Sequence, residues 1–203
     1  MARTKLNSEE KKFLDQMKFG GEWLQDKLFE ETWKEFKGTH DYEEIKDKIE
    51  KVLMDPASLR NLVENLQHKK PIVPLIFAES KESVETLQDN ETIVRLILAE
   101  SLKITPDMPE ELVKELDELA EILTNDPEWS IRRTIAQSSD IEPNFFEKLA
   151  EKLKNDKDWR VIVALIENHN TPKETRKKLE KENKELLKEL KAMETLQALL
   201  RGG

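Results

Sequence analysis

Asn125-Asp126-Pro127-Glu128-Trp129 opens a stretch that returns thirty residues later as Asn155-Asp156-Lys157-Asp158-Trp159. Each copy runs into an apolar helical segment and then a turn that ends in proline. Recurrence at a fixed offset is the signature of a repeat architecture, in which one short helical unit stacks on the next. Phased on its apolar helix, Ile131-Arg132-Arg133-Thr134-Ile135-Ala136-Gln137-Ser138 aligns with Val94–Ser101, with Val73–Ser80 and with Val161–Asn168. The four copies begin 21, 37 and 30 residues apart, so the unit is irregular and its spare length must sit in connections. A fainter fifth copy starts at Asp55-Pro56, where Leu59-Arg60-Asn61-Leu62-Val63 matches the Ile131 helix.

Punctuation between helices supports that reading. Ile104-Thr105-Pro106, Ile141-Glu142-Pro143 and Asn170-Thr171-Pro172 place proline where a first helical turn tolerates it. Thr105 and Thr171 stand as candidate N-caps. Ser80, Ser101, Ser138 and Asn168 close the apolar helices with side chains that bond nearby backbone.

With those residues in view, the segment from Asn125 to Arg133 resembles the opening of a leucine-rich repeat variant unit. Asn168-His169-Asn170-Thr171-Pro172 resembles its closing turn. The likeness is good over residues 125–180, fair over 71–124 and absent before 55. It implies a helical-repeat superhelix related in shape to HEAT and armadillo arrays, and implies no activity. A cysteine-ligated iron–sulfur module accompanies some members of that family; with no cysteine here, that module is not expected.

The 203 residues suit one domain or a short array, and 38% charged against 37% hydrophobic residues is a charge-rich balance. The acidity is uneven: residues 55–124 hold 15 acidic against 7 basic side chains. No part carries the basic excess of a nucleic-acid footprint. Without cysteine, thiol chemistry and disulfides are excluded. The longest apolar runs, such as residues 72–78, are too short for a bilayer. Met1-Ala2-Arg3-Thr4-Lys5 leads into no signal-peptide core, so a soluble cytoplasmic protein is expected.

Flanking the array, Phe13, Phe19, Trp23, Phe29, Trp33 and Phe36 crowd into residues 1–54, with Gly20-Gly21 expected to break a helix. This reads as a helical N-terminal cap. Residues 55–180 form the HEAT-like array, and residues 181–203 a C-terminal capping helix, together one continuous domain. A single Lys/Glu-rich helix is expected from Pro172 to about Leu200, with Leu179, Leu186, Met193 and Leu200 at intervals of seven. Glu182 and Asn183 on its seam argue against a coiled coil. Ala2–Lys5 matches a histone tail and Leu200–Gly203 a ubiquitin terminus, but neither match extends further.

Three constellations are candidate sites. Arg60, Arg95 and Arg132 share one repeat phase, with Arg133 beside them, and would line one face to grip carboxylates or phosphates. Pro74 and Ile162 break the row, and Glu91 and Glu128 stand four residues before Arg95 and Arg132, the spacing of local helix pairs. Trp129 and Trp159 repeat at one phase, which favours inter-unit packing. Trp129 with Arg132 and Arg133 also resembles HEAT-like DNA glycosylases that set Trp, Arg and Asp on a concave surface, over about five residues. Glu79, Glu100 and Glu167, in register with Gln137, form an acidic ladder open to a basic partner.

Nothing points to catalysis. His40, His68 and His169 lie apart in polar turns, and no phosphate loop, serine elbow or zinc helix occurs. No catalytic residue, cofactor or metal is expected. The chain thus reads as an all-α, right-handed α-solenoid of irregular HEAT-like, leucine-rich-repeat-variant-like units. Its expected role is a non-enzymatic scaffold for a protein or peptide. The alternatives are a nucleic-acid-binding or DNA glycosylase-like enzyme of HEAT-like form, and a homo-oligomer assembled through the C-terminal helix.

Overall fold

In the computed structural model the described residues are 19–77 and 91–201. Their regular elements are all helices: α1 (Gly20–Lys37), α2 (His40–Met54), α3 (Pro56–Gln67), α4 (Val73–Ile76), α5 (Glu91–Ser101) and α6 (Glu110–Thr124). α7 (Trp129–Gln137), α8 (Pro143–Leu153), α9 (Trp159–Glu167), α10 (Lys173–Glu182) and α11 (Lys184–Arg201) complete them. The one extended feature is a parallel bridge between Ile104 and Ile141. The described chain forms two compact units, His40–Leu179 and residues 19–39 with 180–201.

Within His40–Leu179 the helices pack in two rows. α2, α5, α7 and α9 contact one another in that order, and α3, α6 and α8 do the same; α3 also lies on α2, α6 on α5 and α8 on α7. Sequence periodicity explains the burial. Ile45, Ile49 and Leu53 of α2, Val94, Ile97 and Leu98 of α5, Ile131 and Ile135 of α7, and Val161 and Leu165 of α9 recur at helical spacing, all buried. Leu59 and Leu62, Leu116 and Leu119, and Phe146 and Leu149 do the same for the second row. Each such side chain contributes ~1.5–3 kcal/mol by leaving water.

Two expectations about this unit change. Its boundary falls at His40 rather than Asp55, because the α2 stripe of Tyr42, Ile45, Ile49 and Leu53 is core to the same packing. The copy at Asp55-Pro56 is misphased: α3 packs in the row of α6 and α8, not that of α7. Both helices of a pair carry an i, i+3, i+4 apolar stripe, so a five-residue match cannot tell them apart. The copy at Val73 is described only as one helical turn, Val73–Ile76, and Glu79 and Ser80 lie outside the described residues.

The closing turns stack from unit to unit. Ile104 N–H donates to Asp140 O at 3.0 Å, and Glu142 N–H donates to Ile104 O at 2.9 Å. One unit on, buried Asn168 replaces backbone with side chain, its Nδ2 donating to Ala136 O and Ser138 O, each at 2.8 Å. Its Oδ1 accepts from Asn170 N–H at 2.9 Å. The threonine caps are not used: α6 starts at Glu110, leaving Thr105 in the turn bonded to Asp107, and buried Thr171 Oγ1 has no hydrogen-bond partner among the described residues. Glu142 caps α8 instead, accepting from Asn144 N–H at 3.1 Å.

α3 ends in a Schellman-type cap, with Lys70 N–H donating to Asn65 O at 2.9 Å. Lys69 holds the left-handed position at φ 53°, the sole positive-φ residue among the described ones. Glycine is the cheaper occupant of such a position by about 1 kcal/mol. Lys69→Gly is therefore expected to raise Tm by about 2–4 °C; a fall in a thermal melt would refute this.

The smaller unit holds α1 and α11. Trp23, Leu186, Leu190 and Met193 are buried, and Phe19 N–H donates to Glu189 Oε1 at 3.1 Å. α1 begins at Gly20-Gly21, and Phe13 lies outside the described residues. The Lys/Glu-rich stretch is two helices, α10 and α11, separated at Asn183, whose carbonyl accepts Leu187 N–H at 3.0 Å. The polar pair that disturbed the heptad thus marks the break itself. Phe29 and Trp33 stack at 6.3 Å on α1, as their spacing predicts.

Candidate functional site

The repeated Asn-Asp dipeptide builds a staple. Asp126 Oδ1 accepts Glu128 N–H at 2.9 Å, and Asp156 Oδ1 accepts Asp158 N–H at 2.8 Å, so each aspartate bends its loop into the next helix. The other oxygen faces the preceding unit: Arg95 Nε donates to Asp126 Oδ2 at 2.8 Å and Arg132 Nε to Asp156 Oδ2 at 2.6 Å. Both pairs are largely buried, at 18% and 6% side-chain exposure for the first and 15% and 8% for the second. Arg132 is held by four bonds, adding Nη2 to Asp156 Oδ1 and Nη1 to the carbonyls of Asp126 and Pro127. Hydrogen bonding to Asp156 pushes its guanidinium further into the charged form.

The expected three-arginine row is therefore not one face. Arg95 and Arg132 occupy equivalent places in α5 and α7, whereas Arg60 lies in the other row and reaches Glu115 at 3.1 Å and Glu111 at 2.8 Å on α6. The local pairing with Glu91 and Glu128 does not form: Glu91 Oε1 accepts Ile72 and Val73 N–H groups, and Glu128 caps α7 with its backbone. Arg133 is half-buried on α7.

Trp129 and Trp159 meet through a residue the sequence reading passed over. The Arg160 guanidinium lies 3.6 Å from the Trp129 ring centroid and 5.8 Å from that of Trp159. Asp158 holds it, accepting from Arg160 Nε at 2.8 Å, Nη2 at 2.6 Å and backbone N–H at 3.0 Å. Burial opposes ionisation of Asp158, but these Arg160 bonds outweigh it and set the carboxyl below the ordinary aspartate range. A depressed carboxyl stabilises the fold above the unfolded value, about 4, and that share is lost as pH falls through the folded value. Asp158→Asn is thus expected to lower Tm at pH 7 and to flatten the acid side of the Tm–pH curve below pH ~4. An acid limb as steep as that of the parent chain would exclude Asp158 from it.

Of the acidic ladder, Glu100 and Glu167 stand near the ends of α5 and α9. Glu100 accepts the hydroxyl of buried Tyr42 at 3.1 Å, tying α5 to α2, and burial with this carboxylate pushes the phenol up. Glu167 is exposed at the end of α9, and Glu79 lies outside the described residues. Among the described residues no group of three or more His, Asp or Glu could hold a metal.

What the structure adds is a groove of about 880 Å³ between the C-terminal parts of α3 and α6 and the start of α5. Leu66, Lys69, Lys70, Arg95, Ile122 and Pro127 line it, together with the carboxylates of Glu91, Glu118, Glu121 and Asp126. The sequence signal for it is the wide spacing of units there, since 23 residues separate α3 from α5 while four separate α6 from α7. No family model, curated protein or solved structure matches the chain. No helix among the described residues is long and apolar enough to cross a membrane.

Proposed function

We propose that His40–Leu179 is a right-handed α-solenoid of irregular HEAT-like, leucine-rich-repeat-variant-like units. On this reading the protein is a non-enzymatic cytoplasmic scaffold that binds a protein or peptide partner. The two ordered helix rows and the unit-to-unit staples support the solenoid reading. The groove carries the binding reading, because it is a concave, partly apolar surface of a size that takes a ligand. Nucleic acid is less favoured, since Arg60, Arg95 and Arg132 are each engaged by carboxylates of this chain.

Affinity capture from the native host, followed by titration calorimetry with each purified partner, tests this. Saturable binding by a purified protein is the expected result. A chain that binds no captured protein once purified, yet shifts duplex or single strands in a low-salt gel, would reverse the assignment.

A further inference from the structure

The two joints between successive helix pairs are fastened unequally. α5 and α7 run parallel, and so do α7 and α9, because bonds join each pair of helices near their starts and again beyond their ends. At the second joint Arg132 reaches Asp156 through two nitrogens, and the Arg160 guanidinium of α9 lies 3.6 Å from the Trp129 ring centroid of α7. At the first joint Arg95 reaches Asp126 through Nε alone. Thr92 and Ser130 stand there at the places of Trp129 and Arg160, so the aromatic clamp is not repeated. The ion pairs that cross from α6 to α8, Lys148–Asp117 and Lys152–Glu121, rest on exposed lysines and add little. The far edge of the first joint is closed. Its Ile104–Ile141 bridge carries two backbone bonds between buried residues. The eleven residues of α5 set the two edges about 16 Å apart.

We propose that the first joint is a hinge: the α5–α6 pair swings against α7–α8 about the Ile104–Ile141 bridge, with Arg95–Asp126 as the latch at the opening edge. One hydrogen bond holds an edge less firmly than a two-point ion pair joined by a cation–π contact, so opening concentrates at Arg95. The buried stripes of α5 and α7 keep the motion to a splay at the latch end. Arg95 and Asp126 also line the groove, so the splay widens it on that side. A ligand that fits the wider groove holds the latch open, and one that fits the closed groove locks it. The hinge is a property of the packing and holds whether or not a partner binds.

The chain has no cysteine, so nitroxide labels on introduced cysteine pairs report each edge separately in the full chain. Thr92→Cys/Glu128→Cys spans the latch, Lys103→Cys/Asp140→Cys the bridge and Glu128→Cys/Lys157→Cys the second joint, all at exposed positions. Double electron–electron resonance is expected to give the latch pair a distance distribution at least ~1.5 times as wide as that of either other pair. Arg95→Gln is expected to widen the latch distribution further and to leave that of the bridge unchanged. A latch pair as narrow as the other two overturns the hinge, and this comparison needs no change at Arg95. An Arg95→Gln chain whose latch width is unaltered overturns it as well. So does one whose bridge widens as much as its latch, since general loosening has no pivot. Partner capture reads the scaffold assignment independently, so either can fail alone.

Discussion

Arg132→Ala is expected to lower the stability of the chain by about 3–4 kcal/mol, the cost of removing one member of a buried, hydrogen-bonded ion pair. Four bonds disappear together, and Asp156 is left as a carboxylate only 8% exposed with no cation beside it. Two loop carbonyls, of Asp126 and Pro127, lose their donor in the same step. For a domain of this size the change corresponds to a Tm lower by roughly 6–16 °C. Asp156→Asn is a milder change: its amide oxygen still accepts Asp158 N–H, so the loop keeps its turn, while the amide NH2 stands where Oδ2 was and the bond from Arg132 Nε is lost with the charge. That variant is expected to cost about 1–2 kcal/mol. Denaturant titrations of both variants decide the matter, and a loss below about 1 kcal/mol for Arg132→Ala would mean that the staple is not what joins α7 to α9.

The same staple shows how far the sequence could be read. The Asn-Asp echo and the arginines are both visible in the sequence, but local spacing gives them separate jobs. Their connection was not legible, because Arg95 meets Asp126 and Arg132 meets Asp156 across a whole helix pair, not one helical turn. Local rules favour a glutamate four residues away, and tertiary geometry sent Glu91 to cap backbone instead. All-helical architecture was legible because apolar periodicity is a local property; the phase of α3 was not, because both helices of a pair carry the same periodicity.

Trp129→Ala is expected to cost about 3 kcal/mol, near the lower end for removing a large aromatic side chain, since the indole is half-buried. Part of that is contact area and part is the cation–π interaction with Arg160, whose guanidinium sits 3.6 Å from the ring centroid and is 9% exposed. Desolvation makes the second part substantial, because Arg160 cannot recover water when the ring is removed; it retains only Asp158 and the more distant Trp159. A double-mutant cycle of Trp129→Ala with Arg160→Met is expected to give a coupling of about 1–2 kcal/mol. Trp129→Phe is expected to keep most of the stability, since a smaller aromatic face still meets the guanidinium. The same variants locate function. If the tryptophans join units, Trp129→Phe leaves the affinity for a captured partner unchanged, whereas a Trp129→Ala chain that melts normally and has lost that partner would return the binding surface to the tryptophan pair.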